Sequence, residues 1–215
     1  MTGLAVTPIS TTEAVVVSLR EKILDGAIEP GAPLPEADLT REFGVARPTV
    51  RAALQTLCHE GLLQRERNRS AYVPQLTTAD VQDLFAVRIP IECLIVRGVL
   101  EKATPLGEVH SAIARLSLLT PHSHWSEVVD ADLGFHHALA RAVGSPRLER
   151  LYLSMSGEIR LCIAQLRPSW QSPTHMSDEH RELLTVIESR DADAAEARMT
   201  AHLERAVRDL TESRA

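Results

Sequence analysis

The stretch Gly44–Leu54, GVARPTVRAAL, determines how the first third of the chain is interpreted. Val50, Ala53 and Leu54, together with Leu57 just beyond the stretch, recur at the spacing of one face of an α-helix. The glycine that opens the stretch is typical of a turn between two helices. The pattern therefore predicts a turn followed by a short amphipathic helix.

The other face of this helix is polar and basic. Arg47, Thr49, Arg51 and Gln55 fall outside the apolar stripe, and Pro48 suits a first helical turn, where its missing N–H removes no hydrogen bond. Such a helix fits the DNA major groove, because arginine can reach guanine O6 and N7 as well as phosphate oxygens there. A solvated helix with ordinary surface arginines explains this stretch alone equally well.

The flanking segments favour DNA binding. Apolar spacing predicts helices over about residues 12–26, 36–43 and 47–60, followed by strand-like runs at 62–66 and 71–73. A helix, a helix-turn-helix and a hairpin in that order describe a winged helix. We therefore predict a winged helix-turn-helix domain.

The turn between the two strand-like runs is polar and basic. Asn68 can adopt the left-handed conformation that a tight turn requires. Arg69 and Ser70 follow it, and Arg41 adds a further cation in the preceding helix-turn-helix. We expect these side chains to lie beside the recognition helix, close to phosphates or the minor groove.

The composition excludes several other classes of protein. A chain of 215 residues with 44% hydrophobic and 24% charged residues is typical of a soluble globular protein. Its net charge of −6 argues against a protein that binds polyanions over its whole surface, but a DNA footprint is local. No apolar run approaches a membrane span, and the N-terminus lacks a secretory signal pattern. The three cysteines share no metal-binding spacing, and we expect a cytoplasmic location without a membrane partner.

The remainder of the chain is predicted to be helical. Short connections between the helices indicate an antiparallel bundle of six, with Pro90 kinking the first helix near Ala86 and a loop between Pro168 and Pro173. The predicted helices are 78–102, 105–119, 125–143, 146–166, 177–189 and 192–211. The chain thus divides into a loose arm (1–12), a DNA-binding domain (13–74), a linker (75–79) and an all-helical domain (80–211).

Three histidines and one aspartate lie beside apolar residues of three predicted bundle helices. Asp132 and His136 are four residues apart and share one helix face, while His180 and His202 occur in the last two helices. Converging in the bundle, they could bind one divalent ion, and nitrogen and oxygen ligands suit Zn²⁺ or Ni²⁺. No short motif such as HExxH is present, and each histidine alone is more often a hydrogen-bonded or surface residue.

Residues 13–76 resemble the N-terminal domain of GntR-type bacterial transcription regulators. The likeness covers the FGVARPTVRAAL segment, the Glu60–Leu63 junction and the wing. It implies that Arg47 and Arg51 read or anchor DNA, with Thr49, Arg69 and Ser70 close to the backbone. Three departures concern the DNA contacts. They are Ala37 for a frequent arginine, Ala46 for a usual Ser or Thr cap, and Ser70 for a common glycine.

Residues 80–209 resemble the all-helical FCD effector domain of the FadR branch of that family, in its compact VanR-like variant. The segments DLGFH (132–136), EHR (179–181) and AHL (201–203) carry the likeness. It implies that Asp132, His136, His180 and His202 bind a divalent metal at the floor of an effector cavity. Arg88 matches an arginine directed at an acidic effector, and the alternative for Arg88 is a surface ion pair with Glu92.

These likenesses imply a homodimeric transcription regulator, usually a repressor, that binds a roughly palindromic double-stranded DNA operator. A small organic acid that contacts the metal and Arg88 would modulate operator affinity. Two other functions remain open at this point. The same ligands could activate water in a metal-dependent hydrolase, or the ion itself could be the effector of a metal-ion sensor.

Overall fold

The computed structural model describes residues 10–165 and 172–212. These residues divide into two compact units, and the boundary along the sequence lies between Pro74 and Gln75. The expected N-terminal arm lies outside the described residues up to residue 9, and so does the predicted loop residue Pro168. Within the described ranges, no helix combines the length and the apolar character needed to cross a membrane.

The first unit contains three helices and two very short strands. Leu19 of α1 (Thr11–Leu24) and Val50, Leu54 and Leu57 of α3 (Arg47–His59) are completely buried, and α2 (Glu36–Phe43) also contacts α3. The described elements are α1 (Thr11–Leu24), β1 (Pro33–Leu34), α2 (Glu36–Phe43), α3 (Arg47–His59) and β2 (Ala71–Tyr72). The winged helix-turn-helix prediction is confirmed.

The wing differs in detail from the sequence prediction. Ala71–Tyr72 pairs antiparallel with Pro33–Leu34, which the sequence placed in a connection, whereas the predicted strand at 62–66 is reduced to a bridge between Gln64 and Tyr72. A two-residue strand has no readable periodicity, so its non-local pairing is invisible in the sequence. Asn68 adopts a φ of 64°, as predicted for the turn.

Helix α3 begins without a side-chain cap. Its N-cap residue is Ala46, and no side-chain hydrogen bond caps its first turn in the described structure. Gly44, which ends α2, has a φ of 63°, a left-handed conformation that favours glycine. The loss of a serine or threonine cap costs a helix about 1 kcal/mol.

The second unit is a helical bundle in which α4 (Thr78–Lys102) contacts α6 (Trp125–Ala142), α7 (Pro146–Gln165) and α9 (Ala192–Glu212). Thr77 caps α4 through a capping box with Asp80. Pro90 lies inside this helix, and its kink stays a prediction. The described helices are α4 (Thr78–Lys102), α5 (Gly107–Ser117), α6 (Trp125–Ala142), α7 (Pro146–Gln165), α8 (Pro173–Glu188) and α9 (Ala192–Glu212).

Helix α8 begins four residues earlier than the sequence predicted. Pro173 was predicted to end a loop, but it occupies the first turn of α8. Ser172 accepts a hydrogen bond from the backbone N–H of His175 and so caps this turn. Proline is well tolerated at a first helical position, and this is why it did not mark the loop.

The contact between α4 and the end of α6 predicts the effect of two glycine substitutions. A Cβ on Gly98 would lie 2.8 Å from Cγ1 of the buried Val143. Overpacking costs about 1–3 kcal/mol and exceeds the gain of up to about 1 kcal/mol from alanine in a helix. We expect Gly98→Ala to lower the melting temperature by about 2–4 °C in differential scanning calorimetry.

Gly134→Ala in α6 is the matched control for this substitution. Only Nη2 of Arg115, at 4.0 Å, lies near the position of the added Cβ. We expect Gly134→Ala to keep or raise the melting temperature. A Gly98→Ala protein that is as stable as Gly134→Ala would contradict the close packing of α4 on Val143.

Candidate functional site

Three histidines from three helices meet inside the second unit. His136 of α6, His180 of α8 and His202 of α9 are all buried, and one ring nitrogen from each lies within 4.8 Å of the others. The two Nε2 atoms of His136 and His180 are 3.3 Å apart. This group could hold a metal ion.

Asp132 joins the histidines from one turn earlier in α6. Its carboxylate is buried, and Oδ1 lies 3.2 Å from Nε2 of His180. Ligand atoms about 2.0–2.1 Å from a Zn²⁺ ion at tetrahedral angles are roughly 3.3 Å from one another. The separations at His180 therefore match those between ligands that share one ion.

Hydrogen bonds orient two of the rings. Nδ1 of His180 donates to the backbone oxygen of Met176 at 2.7 Å, and Nδ1 of His136 donates to Oε2 of Glu92 at 2.5 Å. With a metal ion bound, both rings would be neutral and would direct the lone pair of Nε2 to the same point. Metal-ligating histidines commonly donate their other ring N–H to a carboxylate or a carbonyl in this way.

His202 provides the observation that tests the fit of a cation. Its Nδ1 is buried without a hydrogen-bond partner among the described residues, and Oε2 of Glu179 is 4.0 Å away. Burial holds the pKa of His202 well below its ordinary value, so the ring is neutral. A buried polar atom without a partner costs about 1–3 kcal/mol, and a metal ion would remove this cost. The donor set suits a divalent ion.

The carboxylates of the site stay ionised. Burial alone would raise the pKa of Asp132, but the charge and hydrogen bond of His180 outweigh burial and hold the pKa at about 2. Burial likewise opposes ionisation of Glu92, yet His136 and Arg88 hold its pKa at about 2. Burial lowers the pKa of His136 and would lower that of His180, where Asp132 reverses the direction. Asp132 thus offers an anionic oxygen donor to a cation beside the histidines.

Arg88 is buried, which corrects the surface-pair alternative. Its Nε donates to Oε1 of Glu92 at 2.6 Å, and its guanidinium lies 5.0 Å from the ring centre of Phe85. Arg88 and Glu92 are 2% and 0% exposed. Sequence analysis missed Glu92 as part of the site. A signal for the burial of Glu92 was available, because it shares one face of α4 with other buried residues. These are Phe85, Arg88, Ile95 and Val99.

Arg88, Asp132 and the three histidines line one small cavity. Its volume is about 40 Å³. A water molecule needs a cavity of about 10–15 Å³, whereas the binding sites of drug-sized ligands have volumes of about 300 Å³ or more. The cavity therefore has room for an ion with a few waters, and a larger ligand requires side chains to move.

The residues predicted to bind DNA lie on the surface of the first unit. Arg47 and Arg51 converge on Glu36, the first residue of α2. Nε and Nη2 of Arg51 donate to its two carboxylate oxygens at 3.2 and 3.0 Å, and Nε of Arg47 is 3.4 Å from Oε2. Arg65 donates from Nη2 to Oε1 at 2.8 Å. The sequence gives no indication that Glu36 is the shared partner of these arginines.

The other predicted DNA-binding residues are not among the contacts of Glu36 in the described structure. Arg41 pairs with Asp38 in its own helix, and Arg69 pairs with Glu66 in the wing. Thr49 and Ser70 are half-buried. Pro48, Gln55 and Asn68 are exposed.

Comparison with known proteins identifies the family. The family model described as "Bacterial regulatory proteins, gntR family" matches residues 11–73, and that described as "FCD domain" matches residues 83–205. The chain belongs to the GntR family of bacterial regulatory proteins, with an FCD domain. This family consists of transcription regulators rather than enzymes, so the hydrolase alternative is set aside.

Relatives of this GntR regulator match along most of its length. It is 30% identical over 210 residues to the uncharacterized HTH-type transcriptional regulator BphR of Paraburkholderia xenovorans, which covers 92% of this chain and 84% of that protein. It is 27% identical to the galactonate operon transcriptional repressor of Escherichia coli, over 87% of this chain and 91% of the repressor. The crystal structure of a GntR transcriptional regulator from Rhodococcus sp. RHA1 has a TM-score of 0.79 at 29% identity, covering 94% of this chain and 97% of that one.

The hydrogen bond from His136 to Glu92 predicts that the Glu92 carboxylate strengthens metal binding by this GntR regulator. Loss of a carboxylate that orients a metal-ligating histidine typically weakens metal binding 10–100-fold. We expect Glu92→Gln to raise the dissociation constant for Zn²⁺ by about that factor, measured by competition with a chromophoric chelator. Glu196→Gln, which removes a carboxylate bound to Arg97 instead, is the control. Equal Zn²⁺ affinity in the two variants would contradict the role of Glu92.

Proposed function

We propose that this GntR regulator is a cytoplasmic homodimeric repressor of a roughly palindromic operator. We further propose that a small organic acid, bound beside Zn²⁺ or Ni²⁺ in the FCD domain, modulates its operator affinity. The observation that carries this proposal is the burial of three histidines, Asp132 and Arg88 around one small cavity. Repressors among the relatives support the direction of regulation.

In this proposal α3 enters the major groove. Arg47 and Arg51 stand in its first two turns on the exposed face, where they can contact bases and phosphates. The exposed wing residues Asn68 and Arg69 would contact the backbone. One reading helix covers only a half-site, so a dimer is needed to read a palindrome.

His136, His180, His202 and Asp132 would hold the metal. When bound, the ion supplies a positive charge that attracts carboxylate oxygens. Glu92 keeps the His136 ring oriented, and the Met176 carbonyl keeps the His180 ring oriented.

Arg88 supplies the second cationic group of the proposed effector site. It lines the same cavity as the metal ligands, and a guanidinium binds a carboxylate through two parallel hydrogen bonds. One relative is named for the operon of a sugar acid, galactonate, which is consistent with an acidic effector. Ligand binding then changes operator affinity by a coupling free energy of about 1–3 kcal/mol.

The small cavity gives specific support to a second candidate, a metal-ion sensor. A volume of about 40 Å³ accommodates an ion more readily than an organic acid.

In a thermal-shift screen of organic acids with and without Zn²⁺ or Ni²⁺, we expect stabilisation by an acid that requires the metal. Operator binding that responds fully to Zn²⁺ and chelator without any acid would favour the sensor.

Removal of a proposed metal ligand should abolish metal retention. We expect His180→Ala and His202→Ala each to lower bound Zn²⁺ to well below one ion per chain in elemental analysis. His122→Ala, in an exposed turn, should retain the wild-type content. Full occupancy in both ligand variants would show that the ligand set is wrong.

Removal of a proposed reading arginine should abolish specific DNA binding. We expect Arg51→Ala to lose sequence-specific binding in an electrophoretic mobility-shift assay while it retains metal content and melting temperature. Arg97→Ala removes the same charge from an exposed position of the FCD domain and should bind like the wild type. Specific binding by Arg51→Ala would overturn the assignment of α3 as the recognition helix.

A further inference from the structure

Arg51 contacts Glu36 through only one edge of its guanidinium. The two hydrogen bonds use Nε and Nη2 and reach both carboxylate oxygens. A guanidinium has five N–H donors, so the end formed by Nη1 and the second N–H of Nη2 is not used in this pair. That end has the two-donor geometry that binds O6 and N7 of guanine.

We propose that Glu36 is a positioning residue for DNA reading, which holds Arg51 by one edge so that the other edge faces a base. This inference rests on the proposed function, because it assumes that α3 reads DNA. Glu36 itself would not contact DNA. It would set the direction from which Arg51, and to a lesser degree Arg47, approaches the groove.

The low exposure of the Glu36 side chain distinguishes this contact from an ion pair in which both partners are exposed. Its side chain is 11% exposed, whereas those of Arg65, Arg51 and Arg47 are 35%, 54% and 66% exposed. The carboxylate therefore lies beneath the guanidinium groups and leaves them accessible. Hydrogen bonds from Arg51 and then Arg65 hold the pKa of Glu36 at about 2, so it is ionised at neutral pH.

The charges explain why one carboxylate can order this surface without closing it to DNA. Three guanidinium groups at one point repel one another, and without a shared anion they would separate into solvent. One carboxylate has about four lone-pair sites, which is enough for the contacts observed. Three positive charges and one negative charge leave a net positive cluster that still attracts phosphate.

The proposal predicts opposite effects on two kinds of binding. Glu36→Gln removes a negative charge beside the arginines, so affinity for unrelated DNA should rise. The same change frees Arg51 to adopt other directions, so the preference for the operator should fall. Glu36→Asp keeps the charge at the start of α2 but shortens the side chain by one methylene, so it separates reach from charge.

The experiment uses the full-length, metal-loaded protein. A duplex enriched by the wild type from a random library serves as the specific probe, and a scrambled duplex of the same composition serves as the competitor. Fluorescence anisotropy at fixed salt gives the ratio of the two affinities. The control is Glu42→Gln, which lies on the same helix α2 as Glu36. It removes an exposed carboxylate that pairs with Lys22 of α1.

We expect both Glu36 variants to reduce this ratio by roughly tenfold, within the range for loss of a bidentate arginine–base contact. Affinity for the scrambled duplex should rise in Glu36→Gln and stay unchanged in Glu36→Asp. Glu42→Gln should keep the wild-type ratio. Melting curves verify that each variant is folded.

Several outcomes would overturn the proposal. A wild-type ratio in Glu36→Asp would show that Glu36 acts through charge alone. The proposal would also be overturned if Glu36→Gln kept a ratio of specific to unrelated DNA affinity as high as that of Glu42→Gln. If Glu36→Asp does not fold, the comparison of Glu36→Gln with Glu42→Gln is the test that remains. If the wild type enriches no sequence, the proposed function fails before any variant is compared.

Discussion

The buried hydrogen bonds of the Glu92 carboxylate link the candidate site of the helical unit to its core. The carboxylate is completely buried and accepts hydrogen bonds from both Arg88 and His136, so it joins the central helix α4 to α6. Removing one partner of a buried ion pair costs about 3–5 kcal/mol because the other charge loses its compensation. The same carboxylate orients a candidate metal ligand and an arginine proposed to bind the effector. In the proposed function, stability and ligand recognition would therefore be coupled at this residue.

A carboxylate organises cationic groups in each of the two units. Glu92 does so in the core, where a charge needs a partner because it is shielded from bulk solvent. Glu36 does so near the surface, where the arginines remain accessible and keep a net positive charge. Neighbouring cations hold the pKa of each carboxyl at about 2, so both stay ionised at neutral pH. The inner carboxylate stabilises a closed site, and the outer one orders an open surface.

Local patterns predicted much of the fold. The helices Glu36–Phe43 and Thr78–Lys102 have the predicted bounds, because apolar periodicity, a glycine stop and a threonine cap all act within a few residues. The strand Pro33–Leu34 was missed because two residues carry no period and their partner lies far along the chain. The early start of α8 was missed because a proline can begin a helix as well as interrupt one.

The sequence by itself determined the order of the helices, the two-unit organisation and the identity of Asp132, His136, His180, His202 and Arg88 as candidates. The order of the helices follows from spacing along each helix, whereas the metal-ligand candidates also rested on the resemblance to the FCD domain, and Arg88 rested on that resemblance alone. Tertiary structure alone decided that the histidine nitrogens lie close together, that the Arg88–Glu92 pair is buried and also bound to His136, and that Glu36 is the partner of Arg47 and Arg51. The reason is physical. Spacing along one helix can show which face is buried, but which side chains of separate helices meet depends on how those helices pack.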